Sequence, residues 1–436
     1  MSGNLRDRLR RIQQAQQGGD EARSRNTAPA SDQMPFFEQN GWTQAGYLTL
    51  RREITCGKGI VLPRAIPEAA GIVMPGLDST ITYEDLLFFD LETTGLSGGA
   101  GTVAFLAAFG RLARTGTAGA KTALFDVRVT QFLLLDYPGE SDFVEALLGE
   151  FRRSPNRDGL TMVSYNGRCF DSQILTTRCL MKGLSPPQYR HADLLYPARR
   201  LWKRLLPNCS QATIETHVLG IDRTGDIPGA MAPDIWFSFL KNGDAEPLLG
   251  ICDHNRRDIE GLAAIFSTMA HIADDPFTAI EKVDVDLEML ALRWYFWVGT
   301  RDWGLGVGDR GIKKPLTEAR RHGDTRRWDQ GRRLLALAAE RGGHRAGLHY
   351  ALMLLGAGKH DEGREWLCRV AGEDSPLSIR AAALRALAID SEHRLKDAAG
   401  ALEWAKQALE LLPLDSAQRL EFEHRIQRLQ KKQLTK

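Results

Sequence analysis

Cysteine is scarce and unpaired: the 436 residues hold six, at positions 56, 169, 179, 209, 252 and 368, without a Cys-x-x-Cys pair or a histidine at ligand spacing. That excludes a zinc ribbon and predicts reduced, non-ligating thiols in a cytoplasmic protein. Long apolar runs are missing too. The longest, Val103 to Phe109, is far below the roughly 20 residues of a spanning helix, so no membrane insertion is expected. An excess of either charge is also lacking: 57 basic residues stand against 55 acidic, so the chain as a whole names no polyanionic partner. The opening MSGNLRDRLRRIQQAQQ has arginines but no apolar stretch after them, unlike a secretory signal.

What is present suffices for a folded protein. Hydrophobic residues make up 43% and charged residues 26%, which excludes global disorder. At roughly 150 residues per domain the length predicts two to three domains. Residues 1–40 read as a flexible leader, since 13–35 carry almost no large apolar side chains. Leu5, Leu9 and Ile12 fall at helical spacing within it, as a short docking turn or as plain decoration of a tail.

From Leu86 the pattern changes. LLFFDLE, VAFLAAFGRL and TALFDVRVTQFLLL predict three successive antiparallel strands, separated by Gly-rich segments. Helices and strands then alternate: a helix over 139–153, a buried strand at LTMVSYN, a helix from Asp171 to Lys182 and a long helix holding Asn255 to Met269. This is an α/β domain with a mixed sheet, placed at 41–285. Residues 286–436 read as an array of helical hairpins, over 330–341, 345–356, 360–371, 377–389, 396–411 and 416–432. In LKDAAGALEWAKQALELLP, Ala401, Ala408 and Pro413 are spaced as in a tetratricopeptide unit. After residue 300 there are 26 basic and 19 acidic residues, so the basic excess lies in this helical part. It suits phosphate binding, and equally a solvated helical surface.

The chemistry concentrates in acidic residues. In FFDLETTGL, Asp90 and Glu92 lie two apart on a strand and project to one side, with Leu91 on the other. Two adjacent carboxylates at the end of an apolar strand repel, and burial raises their pKa values unless a cation neutralises them, so the pair suits a hard metal. Asp171, in SYNGRCFDSQIL, opens a helix after an Asn166-Gly167 turn, where an N-cap would also want a carboxylate. Asp258 in HNRRDIEGL stands one helical turn after His254.

FFDLETTGL, YNGxxFD and a late HxxxD, in that order, resemble the three exonuclease motifs of the DEDD superfamily. Within it, the chain is most similar to YprB-type proteins, through Asp193 in HADLLYPARRLW, the segment LPNCSQATIETHVLGIDRTGDIPG and a helical tail. The resemblance spans about residues 40–272. It implies an RNase H-like α/β fold followed by an all-α repeat domain. It further implies a hydrolase, a 3′ to 5′ exonuclease on single-stranded DNA or RNA. Asp90, Glu92, Asp171 and Asp258 would hold two Mg²⁺ or Mn²⁺ ions, one acidifying water and one stabilising the leaving oxygen. Thr93, Leu96, Asn166 and Phe170 are the implied contacts to the terminal nucleotide. The fifth position departs from the superfamily's two forms: the spacing is that of the tyrosine form, but the residue is His254. Its imidazole either orients and deprotonates water or is a neutral replacement that leaves activity weak.

The competing reading is a binding scaffold that has lost turnover and recruits a protein partner through its repeats. A structure-specific endonuclease is a third. His191 and Asp193 are candidates for support behind the site, or a turn residue and a cap. Arg223 and Asp226 are a candidate anchor for a loop over the cleft, and Trp294 to Trp297 read as packing rather than as a base-stacking platform.

Overall fold

The computed structural model describes residues 33–95, 101–153, 159–299, 325–413 and 416–434. The leader residues Leu5, Leu9 and Ile12, and the implied contact Leu96, lie outside them. The chain divides into two compact units, one formed by residues up to Arg199 with Leu206–Pro276, the other by Arg200–Leu205 with Phe277–Lys436.

The first unit opens with α1 (Met34–Gln39), β1 (Trp42–Gly46) and β2 (Thr49–Pro63). The three strands predicted after Leu86 follow as β3 (Leu86–Thr93), β4 (Ala104–Thr117) and β5 (Thr122–Leu134). Then come α2 (Glu140–Arg152), β6 (Thr161–Ser164), α3 (Asp171–Met181), β7 (Arg190–Asp193), α4 (Leu195–Trp202), α5 (Gln211–Val218), α6 (Ala232–Asn242) and α7 (Glu246–Asp274). The seven strands form one sheet in the order β1-β2-β5-β4-β3-β6-β7. Pairing is antiparallel from β1 through to β3 and parallel across β3, β6 and β7, the mixed sheet expected from the pattern.

β1 and β2 are additions that the apolar pattern did not announce. β2 carries Arg51, Arg52 and Glu53, and its register with β5 shifts between Cys56 and Ile60. A polar, glycine-interrupted strand has no clean period of two to read. Its long antiparallel pairing with β5 supplies the ladder that its sequence pattern conceals.

β3 is buried on both faces up to Phe89, as a central strand covered on both sides must be. α7 covers one of these faces. Ile259, Leu262, Ala263 and Phe266 of α7 are buried, and Phe266 meets Phe88 edge-on at 5.6 Å. Close approach depends on Gly110 of β4: a Cβ there would collide with Ile259 Cγ2 and lie 3.1 Å from Phe88 Cβ.

Among its described residues the second unit holds helices and no strand: α8 (Leu287–Gly299), α9 (Thr325–Glu340), α10 (His344–Gly356), α11 (His360–Val370), α12 (Leu377–His393), α13 (Ala398–Glu410) and α14 (Ala417–Leu434). Ala383 and Ala388 on α12 and Ala401, Ala405 and Ala408 on α13 are fully buried, the small contacts that let successive helices pack closely. Trp294 is fully buried, with Gly331 against its ring, whereas Trp297 is exposed and carries the Arg293 guanidinium 4.6 Å above it. Buried Glu392 collects Arg425, Arg428 and Lys432 from α14.

Candidate active site

Three separated segments bring the predicted carboxylates to one cleft. β3 contributes Asp90 and Glu92, α3 contributes Asp171 and α7 contributes Asp258; all four line a cavity of about 240 Å³ with Thr93, Tyr165, Asn166, Phe170, Gly229 and Pro233. His254 flanks it: its Nε2 lies 3.3 Å from Asp258 Oδ2 and 3.9 Å from Glu92 Oε1. Ligand atoms of Glu92, His254 and Asp258 fall within 4.8 Å of one another.

Each side chain is held by neighbours. Asn255, fully buried beside His254, donates from Nδ2 to Asp90 Oδ2 at 2.7 Å and accepts from Gln131 Nε2 at 3.0 Å. Gln131 of β5 also donates to the Cys252 carbonyl at 2.7 Å. This buried amide relay fixes one oxygen of Asp90. At the second motif, Asn166 takes a left-handed backbone, φ +65°, which Asn tolerates better than most residues. Asp193 stabilises that turn. Its carboxylate accepts from the backbone N–H groups of Asn166 at 2.8 Å, Arg168 at 3.0 Å and Leu195 at 3.1 Å.

Asp171 is buried at the first position of α3, whose N-cap is Phe170, and no side chain caps that helix end. Asp171 therefore stands one residue past the N-cap position, where its carboxylate accepts from its own backbone N–H. Asp193 supports the turn as a backbone clamp. His191 instead pairs its Nε2 with Ser164 Oγ at 2.8 Å, and burial pushes its pKa down to about 4.

The loop between α5 and α6 reaches the same place. Arg223 binds Asp258 Oδ1 at 2.6 Å, Asp226 Oδ2 at 3.1 Å and buried Glu215 of α5. Asp226 Oδ2 also accepts from His254 Nδ1 at 3.0 Å. The loop expected over the cleft therefore has a definite position, set by an ion-paired network.

Electrostatically the site is overloaded with negative charge. Burial, then repulsion from Asp258 and Asp171, holds the carboxyls of Asp90 and Glu92 well above the ordinary range. Burial and the neighbouring Asp193 push Asp171 up to about 7. Carboxylates that resist ionisation when gathered, and that offer hard oxygen donors, suit a divalent cation.

Residues 87–270 match the RNase_H_2 model of the RNase H superfamily. The first unit is RNase H-like. Over 205 residues the chain is 35% identical to the uncharacterized protein YprB of Bacillus subtilis (strain 168), covering 45% of each chain. This agrees with the YprB-type resemblance carried by the motifs, and the chain spans under half the length of that relative. Among solved structures it is similar to the family B DNA polymerase from the hyperthermophilic archaeon Pyrobaculum calidifontis. There the identity is 12% and the TM-score 0.29, over 48% of this chain and 28% of that one.

Asn255, Gln131, Glu215, Tyr165, Gly229 and Pro233 were not singled out from the sequence. For Asn255 a signal existed: Ile251, Asn255 and Ile259 form one buried helical stripe, and a lone amide on an apolar stripe must find a polar partner. Gln131 and Glu215 gave none, because their partners are remote in sequence.

Proposed function

We propose that the protein is a metal-dependent nuclease of the DEDD type, acting as a 3′ to 5′ exonuclease on single-stranded DNA or RNA. One observation carries this reading: four carboxylates from three distant segments converge in one cleft, where burial and neighbouring carboxylates disfavour ionisation of Asp90, Glu92 and Asp171 without a cation. Asp90, Glu92, Asp171 and Asp258 are the residues that would hold two Mg²⁺ or Mn²⁺ ions. When bound, such ions neutralise phosphodiester charge and acidify water. The chain's own contribution is positional. Asn255 fixes Asp90, Arg223 holds Oδ1 of Asp258 while Oδ2 lies beside His254 Nε2, and that nitrogen is the atom presented to an attacking water.

In that hydrolysis the water oxygen bonds to phosphorus, the P–O3′ bond breaks, and the departing 3′ oxygen takes up a proton. The products are a nucleoside 5′-monophosphate and a strand one residue shorter. The cleft that these carboxylates line has a volume of about 240 Å³. Thr93, Asn166 and Phe170 line it and are the proposed nucleotide contacts. The proposed nuclease domain spans 41–285, to which α1 adds buried Phe37, and the hairpins of 286–436 are proposed to be tetratricopeptide-like.

The test is cleavage of 5′-labelled single-stranded DNA and RNA, linear and circular, with Mg²⁺, Mn²⁺ or EDTA, comparing wild type with Asp90→Asn. Stepwise shortening of linear strands, lost in EDTA and in the variant, is the expected result. Cutting of circles moves the reading to an endonuclease. No cutting, with retained Mn²⁺ or strand binding, moves it to a scaffold.

A further inference from the structure

The nuclease reading assigns roles to the four carboxylates and to His254 but leaves Asp226 without one. Asp226 lies on no regular element, yet its side chain is only 10% exposed and is anchored on several sides. A single oxygen, Oδ2, receives both His254 Nδ1 at 3.0 Å and Arg223 at 3.1 Å, while Oδ1 stands 3.7 Å from the half-exposed Arg257. A carboxylate oxygen that already receives the Arg223 guanidinium acts as an acceptor, so the Nδ1 facing it is the donor of this contact. The imidazole is then oriented with Nε2 toward Glu92 and Asp258. Space before Nε2 is kept by Gly229, where a Cβ would come to 3.0 Å of that atom.

We infer that Asp226 is a positioning residue that fixes the ring orientation and the Nδ1 proton of His254, so that Nε2 is the atom offered to the attacking water. Arg223 is the peg that keeps Asp226 in place, because the same guanidinium is tied to Glu215 of α5 and Asp258 of α7. The loop between α5 and α6 thereby belongs to the reaction although it supplies no metal ligand. This inference rests on the nuclease reading for its kinetic consequence and on geometry alone for the hydrogen bond.

The experiment compares wild type, Asp226→Ala and Asp226→Asn in the full chain. Asparagine can place its carbonyl oxygen where Oδ2 now serves both His254 and Arg223, so it keeps the hydrogen bond, whereas alanine removes it. Three quantities are measured: the hydrogen-bonded Nδ1–H resonance of His254 in ¹⁵N-histidine-labelled protein, kcat and KM on a labelled strand, and Mn²⁺ affinity. The expected result is loss of the resonance in Asp226→Ala and its retention in Asp226→Asn. A positioned acid or base is worth about 10²- to 10⁴-fold, so losing its orientation should lower kcat by at least about 10-fold in alanine, with KM and Mn²⁺ affinity within about twofold and with recovery in asparagine.

A resonance that persists in Asp226→Ala, or an unchanged kcat, overturns the inference. Weakened Mn²⁺ binding in Asp226→Ala overturns it in favour of His254 as a metal ligand. Should the wild type cleave nothing, the nuclease reading fails, while the resonance in the three proteins still decides whether Asp226 positions the ring.

Discussion

Asp90 and His254 mark the two kinds of dependence at this site. Asp90→Asn should remove metal-dependent cleavage, a loss of several kcal/mol of transition-state stabilisation and thus roughly 10³-fold in rate. The same change should raise the melting temperature in EDTA, because it deletes a carboxyl that burial and Asp258 hold protonated against its ordinary tendency while Asn255 can still donate to the new carbonyl. A variant that is both inactive and less stable in EDTA contradicts the electrostatic account. His254→Ala should slow turnover by about 10²- to 10⁴-fold, the usual worth of a positioned acid or base, and leave Mn²⁺ affinity intact. Calorimetric titration beside steady-state kinetics separates the two effects.

At the level of elements, the site is a problem of spacing between a strand and a helix. α7 must approach β3 and β4 closely enough for Asn255 to reach Asp90, and the missing side chain of Gly110 allows it. Gly110→Val should therefore cost about 1–3 kcal/mol of stability, as overpacking does, and weaken Mn²⁺ binding as Asp258 recedes. Urea denaturation and Mn²⁺ titration of that variant check both.

The parts of this arrangement that could be read in the sequence are those encoded locally. Asp90 and Glu92 declare a shared side through a period of two, His254 and Asp258 share a helical face through a period of four, and the hairpins of the second unit follow apolar spacing. Arg223 and Asp226 could be noticed but not placed, since their partners come from α5 and α7. β1 and β2 escaped because their pattern is polar and broken, and their pairing is set by β5.

Taken whole, folding and metal binding should be linked. In the folded protein Asp171 binds its proton up to about pH 7, against roughly 3.9 in an unfolded chain. Between those values the folded state holds more protons, so its stability without metal falls as pH rises. A divalent ion needs the carboxylates ionised, so its stabilising effect should grow over the same window. At 100 times its dissociation constant it should add about 2.7 kcal/mol. Melting curves from pH 5 to 8 in EDTA and in Mn²⁺ should diverge with rising pH, and those of Asp90→Asn should run much closer together.

The hydrogen bond between Asp90 and Asn255 joins residues 165 positions apart, and its consequence is one of timing. A ribosome adding about 5–20 residues per second needs roughly 8 to 33 s to pass from the first to the second. Throughout that interval the growing chain carries its first acidic motif without the amide that will hold Asp90. Because α7 is made last of the three segments that line the cleft, the site is complete only once that helix has been made.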